Sequence, residues 1–281
     1  MPKSYGPVHP KGTLMKLLRM SIATTVALVF SSANAAGGDS WEFAITPYLW
    51  LPSVHGTLNF DVPPGGNSPI ADIGPSDYLS NLKFAGMLTG TARKGDWGLF
   101  YDVVYVHFAD LKSTVRDLNG PGGIISLPVS ASIDSSLEGV VATLTGTYSV
   151  VESSRLQLDL IGGVRYANMS TSASWNLSGP NGALAKSGSV SKSVDFVDGI
   201  FGTLGHVQLG DSGRWYLPFE LDFGAGSNNS TTANAVLGVG YKFGWGGLTL
   251  AYRYLYYDLG SNGPLHDIKL AGPTLGATFH W

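Results

Sequence analysis

Cysteine is absent from all 281 residues, which excludes disulfides, thiolate metal centres and cysteine nucleophiles and is compatible with an oxidising compartment. Charge is scarce too. The 17 Lys+Arg and 20 Asp+Glu make up 13% of the chain, too few and too balanced for the basic footprint of a nucleic-acid binder. Long apolar runs are also missing. After residue 36 no stretch approaches the ~20 apolar residues that a spanning helix requires. What the chain has in excess is glycine, 38 residues, about twice the usual ~7%, together with 7 Trp, 13 Tyr and 12 Phe. Many glycines and aromatics with few charges describe a sheet whose two faces differ.

The N-terminus points to export. Lys16 and Arg19 form a basic region, Ile22 to Phe30 a short apolar core, and Ala33-Asn34-Ala35 a small-x-small cleavage pattern. The apolar core is about half the length of a membrane anchor. Residues 1–35 therefore read as a cleavable signal peptide, with Met15-Lys16-Leu17-Leu18 resembling a truer start. Residues 36–281 form the exported domain.

From Trp41 onward the hydrophobic period is two, the signature of strands. Leu156, Leu158, Leu160, Val164 and Tyr166 share one face, opposite Arg155, Gln157, Asp159 and Arg165. Trp215, Leu217, Phe219, Leu221 and Phe223 oppose Tyr216, Glu220 and Asp222, and Leu248, Leu250, Tyr252, Tyr254 and Tyr256 oppose Thr249, Arg253 and Tyr257. Short polar breaks fall at Arg93–Asp96, Glu152–Ser154, Gly210–Gly213 and Gly244–Gly247. Between them lie generally longer segments at 61–78, 112–130, 178–188, 225–230 and 259–264. Four short turns interleaved with five outer loops give a closed antiparallel transmembrane barrel of about ten strands, with both termini periplasmic. Pro52 interrupts the first apolar stretch before Val54 to Phe60. A separate strand there would make twelve, and trimmed ends would make eight. Within 61–78, Pro75 to Asn81 allows one helical turn capped by Ser76 or Asp77.

Charge placement separates lipid from lumen. With about ten residues per strand, the leucine-rich face carries no Lys, Arg, Asp or Glu. The opposite face carries Glu42, Lys83, Asp102, Asp159, Arg165, Asp198, Glu220, Asp222, Lys242 and Arg253. Glu138, Asp195 and Lys269 share the apolar phase but lie beyond the band toward the long loops. Open edges cannot survive in lipid, so the sheet must close. Trp41, Trp97, Trp215 and Trp281 sit beside turns or termini on the lipid phase, as an interfacial girdle would. Tyr48 and Trp50 take the opposite phase.

The last strand alternates into Trp281, with Leu275, Ala277 and Phe279 on the same face. That pattern resembles the β-signal recognised by the outer-membrane assembly machinery through strand pairing. The mature chain as a whole resembles a group of uncharacterised Gram-negative outer-membrane barrel proteins. The resemblance rests on Trp41 to Trp50, Asn81 to Ala85, Gly95 to Asp102, Val197-Asp198-Gly199, Ala251 to Leu255 and Gly272 to Gly276. It implies an integral protein of the cell outer membrane, in contact with outer-membrane lipid and lipopolysaccharide. It implies no activity.

No catalytic, metal or cofactor site emerges from the residues. His55 near Ser53, His107 with Asp110, and His266 with Asp267 approach the outer rim, where a His–acid–Ser set would serve lipid hydrolysis. No spacing ties them together. His206 and His280 read as polar lumen residues near the periplasmic end, and Asp61, Asp258 and Asp267 lack calcium-loop spacing. A barrel of this size is largely filled by side chains, and its lumen charges must be paired or hydrogen-bonded. Gly238, Gly240, Gly272 and Gly276 face inward and leave room either for water or for strand bends. The reading is a non-enzymatic barrel acting through loops 61–78 and 112–130. A narrow channel for small solutes is the second reading, and a rim-located lipid-modifying enzyme the third.

Overall fold

The computed structural model describes residues 40–58, 70–79, 82–119, 126–178, 186–226, 230–258 and 265–281. All belong to one compact unit, Gly37–Trp281; residues 1–35, expected to be a signal peptide, lie outside the described residues. Among the described residues twelve strands follow in chain order. They are β1 (Glu42–Trp50), β2 (Ser53–Leu58), β3 (Ile70–Ile73), β4 (Leu82–Lys94), β5 (Trp97–Asn119), β6 (Ser126–Glu152), β7 (Leu156–Ser178), β8 (Lys186–Leu209), β9 (Trp215–Gly226), β10 (Thr231–Lys242), β11 (Gly247–Asp258) and β12 (Leu265–His280). A single helical turn, Pro75–Tyr78, precedes β4, inside the segment where the sequence allows one.

Ten strands, β1 and β4 through β12, form the wall, and the pairing of β1 with β12 closes it. Pro52 breaks the hydrogen-bonding run, but it does not add a strand to the barrel. Trp50 faces Thr274 and Ser53 faces Ala271, so β2 continues β1 along β12 in one register. The short β3 then pairs back onto β2.

Register fixes the shape. Facing residues run from Ala44 through Thr91, Phe100, Thr145, Gly163 and Ile200. They continue through Gly224, Thr232, Tyr257 and Ile268 and return to the first strand at Gly56. The walk ends twelve residues above its start, so the barrel is sheared. With strands ~4.8 Å apart and ~3.3 Å per residue, that stagger tilts them by about 40°. Ten residues then rise roughly 25 Å along the axis, the height of a barrel's apolar belt.

The outer surface matches that belt. Phe201, Leu237, Tyr252 and Leu275 are each more than half exposed, which water would penalise and lipid does not. On the side of the short turns, Trp41 stacks on Phe43 at 6.1 Å, Phe43 on Trp281 at 6.0 Å, and Trp245 meets Phe279 at 5.5 Å. Trp97 and Trp215 are exposed at the same level. Leu275, Phe279 and Trp281 all face outward. At Gly95 the chain reverses within two residues, in a left-handed conformation (φ +57°) that favours glycine. Of the charges with outward parity, Glu138 and Lys269 sit toward the opposite end, where Glu138 accepts from Tyr105 at 3.2 Å and Lys269 pairs with Asp267 at 3.4 Å.

Strand length departs from the uniform ten-residue expectation. β9, β10 and β11 have 12 residues each, whereas β5 to β8 have 23, 27, 23 and 24. Backbone pairing persists out to Asn119 with Ser126, Ser130 with Ser178, and Leu177 with Lys186. Much of the segment expected as loop 112–130 is therefore strand. Outside the bilayer a ladder needs no apolar face, so alternation fades there while pairing continues.

Candidate functional site: the barrel lumen

All ten charges assigned to the inner face lie on strands at the inward parity, and eight of them form side-chain hydrogen bonds. At the centre, Arg165 grips Asp222 with both guanidinium nitrogens, at 2.8 and 2.9 Å, with side chains fully buried. Its Nε donates to Thr143 Oγ1 at 3.0 Å, and Nη1 also reaches Thr232 at 3.3 Å. Asn234 extends the network, donating to Asp222 and to Glu220, both at 2.8 Å. It accepts from Arg253 Nε at 3.0 Å. Arg253 pairs with Asp102 at 2.8 Å and donates to Tyr48 Oη at 3.0 Å, and Tyr48 in turn donates to Asp102 at 2.6 Å. The Arg253 guanidinium also lies 4.8 Å from the centroid of the Trp50 ring, a cation–π contact. Two carboxylates (Asp222 and Asp102), one amide and two guanidinia thus link β5, β7, β9, β10 and β11 across the interior. Charged groups this buried require such partners.

Asp198 is fully buried and accepts from Ser230 Oγ rather than from a cation. Glu220 accepts from Asn234. Among the described residues neither forms an ion pair; each is held by a neutral donor, and Asp198 Oδ2 is left without a hydrogen-bond partner. Glu42 and Lys83 mark the two ends of the lumen, both exposed.

On the extracellular side of the ionic layer the lumen is apolar. Trp50, Met87, Val104, Val141, Phe196, Leu255 and Tyr257 pack together there, all buried. Val104, Phe196, Leu255 and Tyr257 lie one or two inward positions beyond Asp102, Asp198 and Arg253 on their strands. Leu255 and Tyr257, for example, follow Arg253 on β11. On the periplasmic side a chamber of about 430 Å³ opens between the ionic layer and the chain ends. Its floor is Tyr48, Asp102, Glu220 and Arg253; its mouth is ringed by Arg93, His206, Tyr216, Lys242 and His280.

Arg93 is the lumen residue that the sequence reading missed, because it was counted into the turn. It belongs to β4, pairs with Asp159 and donates to Ser149 at 3.1 Å. Ser149 donates to Asp159 at 2.6 Å, and Gln157 adds a contact at 3.3 Å. The signal was present in phase: Arg93 has the parity of Lys83 on the same strand. Lys242 donates to Gln208 at 3.3 Å and lies 5.5 Å above the Tyr216 ring. His206 meets that ring edge-on at 5.9 Å, as expected for a polar lumen residue near the periplasmic end.

The inward glycines serve mainly for close approach. A side chain at Gly240 would overlap the Tyr216 ring, one at Gly272 the Leu51 carbonyl oxygen, and one at Gly238 the Ala251 methyl. Of the four, Gly276 lines the chamber. The candidate rim residues do not assemble. His55 and His107 take the outward phase of β2 and β5, strands that do not pair. The side chains of Asp110 and His266 lie outside the described residues. Among the described residues no group of three or more His, Asp or Glu is placed to hold a metal.

No protein-family profile and no curated protein sequence matches the chain. Solved structures do. The outer membrane protease OmpT of Escherichia coli aligns with a TM-score of 0.50 and 12% identity, covering 89% of this chain and all of that one. The translocator domain of autotransporter NalP from Neisseria meningitidis aligns at 0.37 and 16%, covering 94% of each. The attachment invasion locus protein Ail of Yersinia pestis aligns at 0.33 and 10%, covering 86% of this chain and 99% of that one. At these identities the likeness is one of fold. The chain has the fold of an outer-membrane β-barrel, and its lipid-facing belt places it in the outer membrane.

Proposed function

We propose that the chain is a non-enzymatic outer-membrane barrel that acts on the extracellular side, through a surface carried by β5 to β8. The observation that carries this reading is the length of those four strands. Each has about twice the residues of β9 to β11. The excess continues as a hydrogen-bonded sheet beyond the belt, where it contributes nothing to spanning the bilayer. Rigid elements projecting from a membrane scaffold are where recognition is best placed. The apolar layer above the ionic network favours this reading over that of a channel. Around the belt the barrel contacts outer-membrane lipid and lipopolysaccharide, and its outward-facing Leu275, Ala277, Phe279 and Trp281 serve recognition by the assembly machinery.

The test is a trimmed variant in which residues 109–136 and 172–192 are each replaced by a tight turn. The barrel should still fold, shown by faster migration on unheated gels. Cells displaying it should lose the autoaggregation, or the adherence to immobilised matrix protein, that the full chain confers. Equal adherence by both forms, or none above empty cells, overturns the proposal.

A further inference from the structure

The periplasmic chamber has its own charge pattern. Its lining carries three side-chain cations, Arg93, Lys242 and Arg253, and three carboxylates, Asp102, Asp159 and Glu220. Arg93 pairs with Asp159, and Arg253 with Asp102. Two of these ionisable groups of the lining have no ion-pair partner among the described residues. Glu220, at the floor, is held by the neutral amide of Asn234. Lys242, at the mouth, is held by the amide oxygen of Gln208 and the face of Tyr216. Among the described residues neither forms an ion pair.

The two are separated along the barrel axis. Glu220 on β9 stands opposite Val236 on β10, and Lys242 lies six positions further toward the periplasm. At ~3.3 Å per residue, their backbones are about 20 Å apart along the strand. The lysine side chain leans over Tyr216 and shortens that gap. The space between has apolar walls, including Phe100, Pro218 and Val236, interleaved with threonine hydroxyls. Its volume of about 430 Å³ lies within the usual range for small-molecule sites.

We propose that this chamber is a binding site for an extended zwitterion entering from the periplasm, namely a short peptide with free termini. Its ammonium seats on Glu220 and its carboxylate on Lys242. An extended chain advances ~3.3–3.6 Å per residue, so three or four residues reach from one charge to the other. The threonine hydroxyls donate to and accept from the peptide backbone. The site goes beyond the extracellular reading above and stands independently of it.

Isothermal titration of the folded full-length barrel in detergent, with tetra-alanine as probe, tests the proposal. Binding should be saturable at millimolar peptide. N-acetylation, which removes the ammonium, should weaken it about tenfold, the usual worth of one charge-assisted hydrogen bond; in Glu220→Gln acetylation should make no further difference. C-terminal amidation should behave in the same way, its effect vanishing in Lys242→Gln. No saturable binding by the folded protein overturns the proposal. So does binding that falls equally in both variants whichever peptide end is blocked. A third contrary result is a Glu220→Gln barrel that gains stability while binding is unchanged, since Glu220 would then be holding only a proton.

Discussion

Replacing Arg165 by Met leaves the Asp222 carboxylate in a fully buried position without its cation. Four hydrogen bonds disappear at once: two to Asp222, one to Thr143 and one to Thr232. Removing one partner of a buried pair costs about 3–5 kcal/mol, because the remaining charge stays desolvated. Asn234 continues to donate to Asp222 Oδ2 at 2.8 Å, which places the expected loss near 3 kcal/mol. The double variant Arg165→Met/Asp222→Leu removes both charges. It should recover most of the loss, since buried pairs are often replaced by apolar groups at little net cost. The assay is urea unfolding of the barrel refolded into vesicles, followed by tryptophan fluorescence and by the gel shift of unheated samples. A loss below about 1 kcal/mol for the single variant, within reach of an ordinary surface change, would refute the reasoning. A double variant as unstable as the single one would refute it too.

Three further outcomes follow from the same geometry. Arg253→Met should cost less than Arg165→Met in the same assay, because Asp102 borders the chamber, where water can replace the lost donor. Phe201→Arg, at a side chain 66% exposed within the belt, should destabilise the barrel by about 2–4 kcal/mol in vesicles. Gly240→Val pushes a branched side chain into the Tyr216 ring; it should cost about 1–3 kcal/mol and lower the thermal midpoint in detergent.

Much of this architecture could be read in the residues, because alternation in a membrane barrel is enforced from both sides. The outer face must be apolar to meet lipid, and the inner face takes whatever charge the chain carries. Asp102, Asp159, Arg165, Asp222 and Arg253 were assigned inward on parity alone, and all five are buried. The turns beginning near Gly95, Ser153, Gly210 and Phe243 fell where glycine and polar residues cluster. What could not be read is who meets whom. Arg165 reaches Asp222 across 57 residues of sequence, a match that depends on the twelve-residue stagger of the closed wall. Extracellular strand length was hidden for a different reason. Residues 112–130 read as loop because the usual apolar alternation fades outside lipid, although 112–119 and 126–130 are strand. Arg93 was hidden by proximity to a turn, although its parity was visible.

Single-channel recording measures the central claim most directly, that a filled lumen closes this barrel to through flow. Folded protein, its insertion into the planar bilayer confirmed by heat-modifiable migration, should give no conductance steps above those of the bare membrane. Reproducible steps that scale with salt concentration would contradict the account, because they require a continuous aqueous path through the Arg165–Asp222 layer and the apolar packing beyond it.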